Sequence, residues 1–80
     1  MHNDEIQGLL TRFGFSVTID KKIGETTQRH MIQVCGSETT RLVDYVIDEA
    51  KNSTKTIWAY TKESLKCIEN VQDLESWLNG

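Results

Sequence analysis

Eighty residues, 38% of them hydrophobic and with a net charge of −3, suffice for one domain with a modest core and are too apolar for a disordered chain. A domain this small buries only about 60% of its unfolded surface. The mild acidity disfavours non-specific nucleic-acid binding, which needs a basic face, and no apolar run approaches the ~18 residues of a membrane span.

Asn3 to Phe13 reads as an amphipathic helix. Asn3 can cap it, Asp4 and Glu5 suit its positive N-terminal end, and Ile6, Leu9, Leu10 and Phe13 share one stripe. Phe15 to Asp20 alternates apolar and polar residues and predicts a strand. Lys21 to Thr27 predicts a hairpin loop, with Gly24 free to take φ > 0. Gln28 to Cys35 returns as a second strand, and its Ile32/Val34 face is the more consistently apolar one.

Gly36-Ser37 breaks that strand, and Ser37 suits a helix cap. The apolar residues Leu42, Val43, Val46, Ile47 and Ala50 fall at helical spacing and predict a helix over 37–50. On it, Arg41, Asp44, Asp48 and Lys51 form the polar face, and Tyr45 departs from the apolar stripe. Thr56 to Thr61 and Ser64 to Glu69 read as strands, and Asn70 caps a last helix carrying Val71, Leu74 and Leu78. The expected order is α-β-β-α-β-β-α. It implies an α+β two-layer sandwich, a small, mostly antiparallel sheet with the helices packed on one face. The expected core is Ile6, Leu9, Leu10, Phe13, Phe15, Val17, Ile19, Ile32, Val34, Leu42, Val43, Val46, Ile47, Leu74 and Leu78.

Motifs that carry chemistry are missing from this pattern. His2, His30, Cys35 and Cys67 have no zinc-ligand spacing, and no glycine-rich loop resembles a phosphate cradle. Asp44 and Asp48 stand four apart, which on a helix is an ordinary solvated face balanced by Arg41 and Lys51. Asn52-Ser53-Thr54 matches a glycosylation pattern but reads as a turn. Two cysteines and no secretory leader point to a cytoplasmic protein with reduced thiols. No catalytic residue, metal ligand or cofactor is expected.

Two surfaces compete as partner sites. Tyr45, with Arg41, Asp44 and Asp48 around it, would be a half-exposed anchor on the polar side of the helix. Trp58 and Tyr60 share one face of their strand, opposite Ile57 and Ala59. If Ala59 packs beneath a helix, Trp58 and Tyr60 lie on an open sheet face beside Met31 and Gln33.

The tail Asn70-Val71-Gln72-Asp73-Leu74-Glu75-Ser76-Trp77-Leu78 resembles the closing helix of some small phage-encoded anti-CRISPR proteins, which are α+β domains of similar length. That resemblance implies an inhibitor docking on a large complex and carries over no functional residue. Phe15–Asp20, Met31–Cys35 and the following helix are similar in order to a restriction-endonuclease-like core, but Gln33-Val34-Cys35 lacks that family's lysine. The function expected is therefore a non-catalytic module that binds a larger protein. The alternatives are a single-stranded nucleic-acid platform or a degenerate nuclease-like domain, and a homodimer through a sheet edge is compatible with either.

Overall fold

The computed structural model describes every residue from Met1 to Gly80. The chain is an α+β domain. Helix α1 (Asn3–Arg12) leads into five strands, β1 (Phe15–Ile23), β2 (Thr26–Cys35), β3 (Glu38–Asp48), β4 (Ile57–Tyr60) and β5 (Leu65–Ile68), and helix α2 (Val71–Asn79) closes it. The strands form one antiparallel sheet in the order β1-β2-β3-β4-β5. No helix is long and apolar enough to cross a membrane.

The expected order therefore changes at its centre. Residues 38–48 are the middle strand of the sheet and not a helix. Two local causes act together. Six of these eleven residues, Thr39, Thr40, Val43, Tyr45, Val46 and Ile47, are β-branched or aromatic and favour a pleated surface. The preceding Gly36-Ser37 is the loop of a two-residue hairpin, with Cys35 opposite Glu38 and Gly36 at φ 64°. Gly24-Glu25 makes the matching turn between Ile23 and Thr26, with Gly24 at φ 60°, so β1 runs three residues past its expected end.

Alternation then sorts the side chains. Val43, Tyr45 and Ile47 of β3 point one way with Met31, Ile57, Ala59 and Ile68, and meet Ile6, Leu9 and Leu10 of α1 and Leu74 and Leu78 of α2 in a single core cluster. Leu42, Asp44, Val46 and Asp48 point the other way. Of the expected core, Leu42, Val46, Val34, Val17 and Ile19 are exposed, while Phe13 and Ile32 are half-buried. Leu42, Val46 and Val34 lie outside because their strands alternate where a helical stripe or the opposite strand face was expected. Ile19 lies outside because of a bulge. Val17 pairs with Met31 but Ile19 pairs with His30, which leaves Thr18 as an extra residue and reverses the faces beyond it. Val17 keeps the core-side parity but sits on an edge strand.

A second bulge leaves Thr40 extra on β3. Each bulge residue turns its hydroxyl back to the partner strand. Thr18 Oγ1 donates to the His30 carbonyl at 3.3 Å, and Thr40 Oγ1 to the Gln33 carbonyl at 3.2 Å.

Val43 and Val46 separate the strand from the helix experimentally. Val43 is fully buried and Val46 is 49% exposed. We expect Val43→Ala to cost about 1–3 kcal/mol, from lost burial and the cavity left behind. Val46→Ala should leave the denaturant midpoint within about 0.5 kcal/mol of the parent. Equal losses at the two positions would contradict the pleat.

Candidate functional site

The face of the sheet away from the core cluster is built from rows that cross all five strands. One row runs Ile19–His30–Asp44–Trp58–Cys67, and the next Ser16–Ile32–Leu42–Tyr60–Leu65. Towards the far end follow Lys21–Gln28–Val46 and Ile23–Thr26–Asp48. Ile19, Ile23, Val34, Leu42, Val46, Trp58 and Leu65 are all exposed here, Trp58 by 43%. These apolar side chains are interleaved with Lys21, Thr26, Gln28, His30 and Asp44.

The polar groups of this open face are partly tied to one another. His30 Nδ1 pairs with Asp44 Oδ1 in the middle of the face. Partial burial and the neighbouring Asp44 both raise the Tyr60 phenol above its ordinary range. Asp48 Oδ1 accepts from the backbone N–H groups of Ala50 and Lys51 at 3.1 and 3.3 Å. At the Asp48 end, where β4 stops short of β3, a groove of about 520 Å³ is lined by Gln28, Val46 and Trp58 from the strands and by Lys51, Thr54 and Lys55 from the connection between β3 and β4.

The structure divides the sequence-predicted site residues between two faces. Asp44 and Trp58 lie directly opposite each other on β3 and β4, and Tyr60 and Asp48 share their face. Their apolar companions are Ile32, Leu42 and Ile19; Met31 is in the core and Gln33 is on the core side. Tyr45 and Arg41 point to the opposite side. The expectation of a half-exposed Tyr45 on a helix is corrected, since its side chain is 1% exposed. Its hydroxyl lies 3.6 Å from Met31 Sδ. Burial raises its pKa, against the opposing pull of the adjacent Arg29 guanidinium.

Arg41 serves the helix layer. Its Nη1 donates to the carbonyls of Trp77 and Leu78 at 2.9 and 3.1 Å, and its Nε donates to Gln33 Oε1 at 2.7 Å. The guanidinium stacks 4.8 Å from the Trp77 ring centroid and 5.8 Å from that of Phe15. Burial holds its pKa below the usual arginine value. Gln33 Nε2 in turn donates to the Phe13 carbonyl at 2.6 Å. One polar strap thus joins the end of α1, two strands and the end of α2.

Sequence reasoning missed Ile19, Ile32, Leu42 and Val46 as members of the open face. The signals that could have found them were the Gly36-Ser37 hairpin loop and the Val43/Tyr45/Ile47 alternation. No three His, Cys, Asp or Glu side chains gather as metal ligands, and Cys35 and Cys67 are free and exposed. The chain matches no protein-family model, no curated protein and no solved structure.

Replacing Arg41 by Ala should cost about 2 kcal/mol, because charge-assisted bonds to two helix-terminal carbonyls are lost together. Arg41→Lys should restore only part, since an ammonium cannot bridge the same acceptors while stacked on Trp77. Thermal unfolding of the two variants checks both statements.

Asp20 supplies a pH dependence. Arg29 holds its carboxylate through hydrogen bonds at 2.8 and 3.0 Å and lowers its pKa. A depressed folded-state pKa gives stability that is present above the unfolded value of about 3.9 and is lost as pH falls through the folded one. We expect the melting temperature to fall in acid, less steeply in Asp20→Asn, in melts recorded from pH 6 to pH 2.

Proposed function

We propose that this chain is a non-catalytic protein-binding module whose docking surface is the open face of the sheet. In this reading the domain is a two-layer sandwich, with both helices against one face and a partner protein forming the third layer over the other. The observation that carries it is the run of seven exposed apolar side chains on that face, set around the His30–Asp44 pair. Such a surface, with an aromatic anchor and a polar group at its centre, has the composition of a protein interface. The resemblance of residues 70–78 to anti-CRISPR proteins suggests a concrete form: an inhibitor encoded by a phage or mobile element that occupies a surface of a larger complex.

A single-stranded nucleic-acid platform would also use Trp58 and Tyr60. The charged groups of this face and its groove, Asp44 and Asp48 against Lys21, Lys51 and Lys55, include no arginine and form no basic stripe, which favours the protein reading.

The test changes the face and spares the fold. Ile19 and Leu42 are exposed, so Ile19→Glu/Leu42→Lys should melt within a few degrees of the parent. Affinity capture from lysate of the source organism should then lose the proteins held by the parent chain, while Glu75→Gln on α2 retains them. Identical captures by the parent and the face variant would overturn the assignment.

A further inference from the structure

We infer that the groove at the Asp48 end of the open face receives an extended acidic segment of the partner protein. Its carboxylates would meet Lys51 and Lys55, and its apolar side chains would lie against Trp58 and Val46. This rests on the docking reading above and says where on the face the partner's chemistry is selected.

Backbone hydrogen bonds hold the groove open. Opposite β3, the β4 ladder ends at the Tyr45–Ile57 pair. Beyond it, Asp48 and Ser53 exchange backbone hydrogen bonds at 2.8 and 3.3 Å, and the intervening turn passes through Asn52 at φ 50°. The outer side of the loop is fastened to the start of the chain. Thr54 N–H donates to the Met1 carbonyl, and Asn3 N–H to the Asn52 carbonyl, both at 2.8 Å. A groove shaped this way needs little ordering when it is filled, so less of the binding energy is offset.

The charged groups of the groove are unevenly partnered. The carboxylates of the groove each have a partner on Oδ1, Asp44 in His30 and Asp48 in two backbone N–H groups. The lysines do not. Neither Lys51 nor Lys55 takes part in an ion pair, the two in the molecule being Arg29–Asp20 and His30–Asp44. Two unpaired ammonium groups beside carboxylates that already have partners favour an anionic ligand, and Trp58 gives that ligand's apolar part a surface.

Charge placement agrees. The helices carry Asp4, Glu5, Asp73 and Glu75 against the single Arg12. The excess negative charge of the chain therefore lies in the helices rather than at the groove. Two ammonium groups with no arginine suit one or two carboxylates better than the closely spaced phosphates of a nucleic acid.

The experiment uses the intact ¹⁵N-labelled chain in 0.15 M salt and follows amide and indole shifts. The probe is a capped hexapeptide alternating glutamate with valine. The comparison probes are the same peptide with lysine for glutamate and an eight-residue oligothymidylate. The acidic peptide should shift signals of residues 46–58 and bind about tenfold more weakly to Lys51→Gln/Lys55→Gln, which corresponds to roughly 0.7 kcal/mol per lost charge contact. Both lysines are exposed, so the spectrum of the free variant should report an unchanged fold. Three results overturn the inference: no shifts with millimolar acidic peptide, equal binding of the acidic and basic peptides, or tighter binding of the oligonucleotide. If partner capture still depends on Ile19 and Leu42 when one of these occurs, docking stands and the groove's role falls. If capture is indifferent to those two residues, the docking reading itself falls.

Discussion

β3 lies in the middle of the sheet, so its pleat is imposed on two long strands to one side and two short ones to the other. Backbone pairing carries side-chain parity from strand to strand. Once Val43, Tyr45 and Ile47 enter the core cluster, Met31 on β2 and Ile57 and Ala59 on β4 enter it too. A slip of one residue would place Asp44 and Asp48 in the core and expel Tyr45. The burial of one large tyrosine therefore sets the register of a sheet of five strands, and it also determines which side chains are left outside. Parity changes at Thr18, where the bulge moves Ile19 to the open face and brings Asp20 opposite Arg29.

The helices are attached by two different means. Apolar contact is one, through Ile6, Leu9 and Leu10 on α1 and Leu74 and Leu78 on α2. The other is the polar strap of Phe13, Gln33, Arg41 and the last carbonyls of α2. A cation at a helix C-terminus interacts favourably with the helix dipole as well as with the unpaired carbonyls. Arg41 also covers the rings of Trp77 and Phe15, so its aliphatic stem and planar head close the rim of the core. Desolvation disfavours its charge, and the three accepting oxygens offset that cost.

The two helices, four strand regions and the α+β class were legible in the sequence from apolar periodicity, alternation and the Asn70 cap of α2; the cap expected at Asn3 does not form, since His2 holds that position and Asn3 lies inside α1. The 38–48 segment was not. Leu42, Val43, Val46 and Ile47 satisfy a helical period and, taken two at a time, a strand period as well, so spacing alone does not separate them. β-branching and the two-residue turn decide between them, and both favour the strand. The same ambiguity reached the candidate site. On a helix, Arg41, Asp44, Tyr45 and Asp48 fall near one side; on a strand, odd and even positions part, and Asp44 joins Trp58 while Tyr45 enters the core. Trp58 and Tyr60 were correctly paired on one face, since both helix-free readings of 57–60 preserve that alternation. The Thr18 bulge left no sign in the residues around it.

Every strand in this sheet lies beside its neighbours in the chain. Pairing can therefore proceed one hairpin at a time, and short loops cost little entropy to close. The start of the chain is tied in differently, for Asn3 meets Asn52 across 49 sequence steps. That closure gains little until β3 and the loop after it are in place. It is thus a late event in folding, and the local opening of residues 1–3 and 50–54 can occur without unzipping the sheet.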